Sequence, residues 1–295
     1  MDYRPLARLA RILEKTADEQ LVDSLVSFLD LKDVLKYFST NLLTGSWDDY
    51  WSLMNNYYLY YDFRAGKMHL IPYDYDNTFG VDFFGIDWAE ANIYHFPKIS
   101  DGPRPLAERI MAHPALRNLY SHFLQFYRDS VFAPYLWLNR IDSLKERITP
   151  FAQQDTFYHK DYGFTFQDFE DSYESSHYEN QHVKYGLKEF IWRRYYTAGS
   201  QLEFLTAKPV VYQVDIEPPL PTANDSISIN VLAFGYPTIQ TMDLILQRGN
   251  STNWEVVPFS KANKPGSLKI EDHDRWSTKI SPLLETGVAF FQIKA

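Results

Sequence analysis

Residues 45–80 read GSWDDYWSLMNNYYLYYDFRAGKMHLIPYDYDNTFG, and the reading of this stretch decides the rest. An acidic pair, Asp48 and Asp49, is followed by an amide pair, Asn55 and Asn56. The Tyr-rich run at 56–62, the Gly-containing run Phe63-Arg64-Ala65-Gly66-Lys67 and the apolar run at 68–73 have the lengths and turn chemistry of a β-hairpin. The return strand delivers Asp74-Tyr75-Asp76 at its C-terminal end. Oxygen ligands converging at strand ends suit a magnesium–phosphate site, because magnesium prefers carboxylates, waters and phosphate oxygens.

Helices are expected on either side of the hairpin. Residues 21–29 and 34–43 carry apolar side chains at three- and four-residue spacing, with Asp30 and Asp33 between them where a cap belongs. Residues 80–103 read as a loop. Helices over 105–112, 114–130 and 134–148 each open on proline, which suits a first turn whose N–H needs no partner. Residues 153–180 are polar, acidic and Tyr-rich and read as a long loop or irregular helix; 183–205 reads as a long amphipathic helix closing the domain.

From Lys208 the pattern changes to short runs with period-two alternation: VVYQVDIEP, ISINVLAF, IQTMDLILQ, WEVVPF, SLKIED and VAFFQIKA. Turn clusters such as GYPT and NKPGS separate them. Six or seven strands of this kind predict an immunoglobulin- or fibronectin-III-like sandwich over 208–295. The fold class is therefore α+β, mainly helical over 1–207 and all-β beyond.

Composition narrows the function. An apolar share of 45% supports a real core, and the 17% aromatic share points to a tightly packed aromatic core or to sugar- and peptide-facing surfaces. A net charge of −9 argues against nucleic acid as a partner and is compatible with a basic protein substrate. The absence of cysteine rules out disulfides, zinc–thiolate sites and thiol catalysis. No apolar run approaches the roughly 18 residues of a membrane helix, and the first residues lack the basic-then-apolar pattern of a signal peptide.

The segments TGSWDDYWSLMNNYYLYYD and GKMHLIPYDYDNTFG, with the helical stretches PLAERIMAHPALRNLYSHFLQFYRD and LKEFIWRRYYTAGSQLEFL, resemble the CotH kinase family of atypical, secreted-type protein kinases. The likeness covers roughly residues 18–206. The order acid, amide, hairpin, acid is that of a kinase C-lobe, where a catalytic Asp and a metal-binding Asn precede a hairpin ending in a metal-binding Asp. The resemblance implies Asp48 as the catalytic residue that orients the acceptor hydroxyl and takes its proton. It implies Asn56 and Asp74 as ligands of the magnesium (or manganese) ion that bridges to the phosphates of ATP, and Asp76 as a residue that holds a second metal or orders the loop. The eight-residue spacing from Asp48 to Asn56 exceeds the kinase gap of about five, so Asp49 and Asn55 stay open as substitutes. The implied substrate is a protein with Ser or Thr acceptors, and the implied location is extracellular or the cell surface.

The family also carries an N-terminal RGNSS-like motif that grips the nucleotide. Here no glycine precedes Gly45, and a phosphate-cradling loop needs glycines so that backbone N–H groups can approach the phosphates. The expectation is a C-lobe without its N-lobe, an atypical Ser/Thr protein kinase if an N-lobe complements it.

Other readings of the same residues stay open. Asp48-Asp49 suits the cap of a helix beginning near Tyr50, and Asn55-Asn56 a helix C-terminus. Asp74-Tyr75-Asp76-Asn77 suits a calcium loop, or the DxD of a metal-dependent glycosyltransferase using Asp74 and Asp76. A glycosyltransferase needs a βαβ start that the helical N-terminus does not offer. A catalytically inactive surface, adhesion or binding module is the remaining alternative. His69 reads as a strand-face residue, and His177 and His182 as surface residues. Asn224 and Asn250 fit the glycosylation pattern and, equally, turn chemistry.

Overall fold

The computed structural model describes residues 2–160, 162–174, 178–180, 182–248, 252–282 and 289–294. The fold is α+β as expected, with eight α-helices and nine strands among the described residues, every strand pairing antiparallel. None of these helices is long and apolar enough to cross a membrane. The chain divides into two compact units, one formed by residues 1–5, 33–109 and 123–203, the other by 6–32, 110–122 and 204–295. The second unit thus adds two helical stretches to the strand-rich sequence. Helices α1 (Arg4–Lys15), α3 (Leu31–Thr44), α4 (Pro105–Ala112) and α5 (Pro114–Ser130) contribute to both.

In the first unit, α3 buries Val34, Leu35, Phe38 and Leu42 along one stripe, as their spacing dictates. The hairpin follows, with β1 (Tyr57–Asp62) and β2 (Lys67–Pro72) in the register Tyr57↔Pro72 to Asp62↔Lys67. Its turn is held by Asp62, whose Oδ1 accepts from the Arg64 N–H at 2.8 Å and whose carbonyl accepts from the Gly66 N–H at 2.8 Å. One hairpin face buries Met68 and Leu70; the other exposes Tyr58, Tyr60 and Ile71. Helices α6 (Pro134–Gln154), α7 (Phe166–Asp171) and α8 (Leu187–Gln201) complete the unit.

Phe190 of α8 explains the two glycines that frame the hairpin segment. Gly45 and Gly80 have φ of +66° and +94°, and a Cβ on either would stand 2.8 Å or 3.0 Å from the Phe190 ring. Both the backbone conformation and the close approach therefore require glycine.

Helices α4 and α5 have the expected bounds. Helix α6 runs past residue 148 to Gln154, because Pro150 lies near its end and removes one intrahelical bond without ending the helix. Helix α8 is shorter than expected. Gly186 caps it in an extended conformation and Val183 bridges to Val81, while Leu202 is again extended. The stretch at 153–180 contains a 3₁₀ turn at Tyr158–Lys160 and α7, which opens on a capping box between Thr165 and Asp168.

In the second unit, α2 (Asp18–Phe28) buries Leu21, Leu25 and Phe28 and packs on β3 (Val210–Glu217). Strand β3 pairs with β4 (Ile227–Phe234), β4 with β8 (Arg275–Ile280) and β8 with the two-residue β7 (Ser260–Lys261). A second sheet has the order β6 (Trp254–Pro258), β5 (Asp243–Arg248), β9 (Ala289–Lys294). Their inner faces share one apolar cluster that includes Ile229, Val231, Leu244, Leu246, Trp276 and Ile280. One sequence expectation is corrected here. Ser267–Asp272 is no strand; its end forms a 3₁₀ turn, Ile270–Asp272, that buries Ile270. The strand lies just after it, where Trp276 and Ile280 alternate with polar residues facing outward. The buried carboxylate of Asp274 is satisfied by the Tyr212 hydroxyl at 2.7 Å and His122 Nε2 at 2.8 Å, and the His122 ring stacks on Phe234.

Candidate functional site

The segment between α3 and β1 folds into successive turns, and its two aspartates separate. Asp49 is buried. Its Oδ2 accepts from Asn41 Nδ2 at 2.8 Å and its Oδ1 from the Ser52 N–H at 2.8 Å. Burial pushes its pKa up to about 6, only partly offset by the hydrogen bonds from Asn41, Ser52 and Trp51. Its carbonyl accepts from the N–H groups of Leu53 and Asn55, which closes the turn below it. Asp48 is half-buried, and its Oδ1 accepts from Asn55 Nδ2 at 3.0 Å.

Asn41 joins this turn to the loop beyond the hairpin. Its Nδ2 holds Asp49, while its Oδ1 accepts from the Tyr75 hydroxyl at 2.8 Å. Nearby, the Tyr37 hydroxyl accepts from the Tyr50 N–H at 3.0 Å, and burial and the Asp49 carboxylate raise its pKa. The fully buried Arg104 clamps the same turn from the other side. It donates to the carbonyls of Trp51 and Ser52 at 2.7 Å each, and to those of Ser100 and Gly102 at 2.9 Å each. The Ser100 hydroxyl accepts a further bond at 2.7 Å. A buried guanidinium is tolerated here because carbonyl dipoles replace its water.

Asn56 and Asp74 stand at the base of the hairpin, one at each strand end. The Asn56 carbonyl accepts from the Tyr73 N–H at 3.2 Å, which continues the ladder to the residue before Asp74. Asn56 is buried; Asp74 and Asp76 are exposed. Met54, Asn56, Asp74 and Phe79 have φ of 62°, 52°, 59° and 55°, four of the five non-glycine residues with positive φ among those described. Asn and Asp tolerate this conformation better than other side chains, and such backbone clusters at functional sites. The Asp74 and Asp76 carboxylates accept no hydrogen bond and join no ion pair among the described residues. The carboxylates of Asp48, Asp74 and Asp76 do not all come within 4.8 Å of one another.

The donor set is oxygen throughout, and two of its carboxylates join no ion pair among the described residues. This chemistry fits magnesium, which needs only one or two protein carboxylates when phosphates and waters complete its shell. Sequence reasoning missed Asn41 and Arg104. The signal for Asn41 was an amide on the buried stripe of α3; Arg104 offered none beyond its place before Pro105. Of the other residues singled out, His69 lies on a strand face, its Nδ1 3.5 Å from Asp33 Oδ2. His182 is half-buried between the rings of Phe83 and Tyr162, not on the surface. Near Asn224, Asp225 Oδ2 accepts from the Thr222 N–H and hydroxyl, as turn chemistry requires. His177 and Asn250 lie outside the described residues.

Comparison with known proteins bears on the same region. No solved structure matches the chain. Spore coat protein homolog 1 of Rhizopus delemar is 25% identical over 135 residues, which is 43% of this chain and 21% of that protein. Inner spore coat protein H of Bacillus subtilis is 27% identical over 138 residues, 47% of this chain and 36% of that protein. The match to each therefore spans well under half of the relative's own length. The family model described as CotH kinase protein matches residues 1–197, a stretch that holds α1–α3, the acidic turn, the hairpin and most of α8. By that match over most of its length, the chain belongs to the CotH kinase protein family.

Proposed function

We propose that the acidic turn and hairpin base form the acceptor and metal side of a CotH-type phosphoryl-transfer site, moving the γ-phosphate of ATP to Ser or Thr of a protein substrate. The observation that carries this reading is the hairpin base, where Asn56 and Asp74 flank the paired strands on left-handed backbone and the Asp74 and Asp76 carboxylates join no ion pair among the described residues. In this reading Asp48 accepts the proton of the attacking hydroxyl. Asn55 Nδ2 orients one of its oxygens at 3.0 Å and leaves the other for the substrate. Asp49 is unsuited to that role, because both its oxygens hold the turn together. Asn56 and Asp74 would hold a magnesium or manganese ion, and Asp76 would hold a second metal or order the loop. The ion, when bound, neutralises phosphate charge. The hydroxyl oxygen attacks the γ-phosphorus, the bond to the β,γ-bridging oxygen breaks, and ADP leaves. Positioning supplies most of the rate in such transfers.

Helices α1–α3 fill residues 4–44 almost completely, so these residues supply no Gly-rich loop for the phosphates. In a second reading this chain binds at a coat or cell surface without catalysing transfer. The names of the two relatives support a spore-coat or surface location. The paired sheets of the second unit support an immunoglobulin- or fibronectin-III-like binding module. Transfer of label from γ-labelled ATP with magnesium to basic Ser/Thr peptides separates the two readings. Activity reduced at least a hundredfold by both Asp48→Asn and Asp74→Ala is expected of the kinase. Equal incorporation by wild type and Asp74→Ala removes Asp74 from the mechanism, and no incorporation by wild type leaves the binding module.

A further inference from the structure

The first unit holds a cavity of about 430 Å³, partly open to solvent, whose lining includes none of the residues proposed for phosphoryl transfer. Leu43 and Thr44 of α3, Phe79, Ile141 and Leu144 of α6, and Ile191 of α8 face it. Its size lies within the range of about 300–1,000 Å³ typical of ligand cavities. Polar groups on its wall bond elsewhere. The Thr44 hydroxyl donates to the Thr40 carbonyl at 2.9 Å, and the Trp137 indole N–H to the Val131 carbonyl at 2.6 Å. Water needs two to four polar partners to occupy a cavity, and this wall offers almost none, so its natural filling is carbon.

The dimensions and the entrance narrow the ligand further. An apolar cavity of about 150 Å³ takes up benzene, so one nearly three times larger takes on the order of 15 carbon atoms. Val131 and Leu144, 37% and 47% exposed, mark the opening. Arg140 is exposed, with its guanidinium 5.5 Å from the ring centroid of Trp137, which lines the cavity. We propose that this cavity binds a free fatty acid, its alkyl chain between α3, α6 and α8 and its carboxylate at Arg140. The bound chain touches Phe79, whose N–H donates to the Thr44 carbonyl at 2.6 Å, but the proposal does not depend on phosphoryl transfer.

Calorimetry with dodecanoate below its micellar concentration tests this on the whole chain. Wild type is expected to bind one equivalent saturably. Leu144→Trp, which fills the cavity from a partly exposed position, is expected to bind at least tenfold more weakly. Arg140→Gln should weaken dodecanoate several-fold and leave dodecanol unchanged. Should Leu144→Trp misfold, quenching of tryptophan fluorescence by a brominated dodecanoate provides a second route, with the quenched component lost in Trp137→Phe. The absence of saturable binding by wild type, or equal binding by a folded Leu144→Trp, overturns the proposal. Equal affinity for dodecanol and dodecanoate overturns the role of Arg140. Co-sedimentation with phosphatidylglycerol vesicles that Leu144→Trp abolishes would overturn the assignment to a free acid in favour of a membrane lipid.

Discussion

Asp49 sits in a closed cradle, where Asn41 and the Ser52 N–H hold both its oxygens and burial lifts its pKa to about 6. Asp74, beyond the hairpin of the same segment, is exposed on left-handed backbone with no hydrogen bond to its carboxylate among the described residues. The cradle uses a carboxylate as a structural joint, and the loop leaves one available to solvent and ligands. A shared Asn41, bonded to Asp49 and to Tyr75 between Asp74 and Asp76, links the two regions. Within one segment the fold thus holds one acid in place and leaves another exposed.

If the cradle is structural, its loss should cost stability before it costs anything else. Arg104→Met keeps much of the volume but leaves the carbonyls of Trp51, Ser52 and Ser100 without their donor. A loss of about 3–5 kcal/mol is expected in urea unfolding, from several buried acceptors unpaired at once. A loss under 1 kcal/mol would show that the clamp is replaceable. Asn41→Leu comes next, at about 2–3 kcal/mol, because it strands the buried Asp49 carboxyl and the Tyr75 hydroxyl together.

The pH dependence sharpens the comparison. The folded pKa of Asp49, about 6, lies above the ordinary value near 3.9, so the folded state holds the proton more tightly. Its contribution to stability is therefore fully present below the ordinary value and is lost as pH rises through 6. Between pH 5 and 7 wild type should lose about 1 kcal/mol that Asp49→Asn does not lose. Parallel stability curves for the two proteins would mean that Asp49 is already ionised at pH 5.

Much of this was legible in the sequence. Gly-containing turn chemistry between a Tyr-rich and an apolar run located the hairpin to within a residue, and proline at the first turn located α4, α5 and the start of α6. Helix ends were less legible, since Pro150 and Gly186 act according to position within the helix rather than identity. The short alternation around Trp276 was hidden behind the polar Asp272-His273-Asp274-Arg275 run. Within the site, Asp48-Asp49 and Asn55-Asn56 each present one residue type twice, and composition cannot say which member is buried. That choice depends on Asn41 and Arg104, which become partners of the turn only after folding.

Manganese binding tests the division between joint and reactant most directly. Titration followed by electron paramagnetic resonance, paired with melting curves, should show saturable binding by wild type. Asp74→Asn should bind at least tenfold more weakly with stability changed by no more than about 0.5 kcal/mol, as an exposed substitution. Asp49→Asn should change stability and its pH dependence while keeping the affinity for manganese. Undiminished binding in Asp74→Asn, or binding lost in Asp49→Asn alone, would contradict the account.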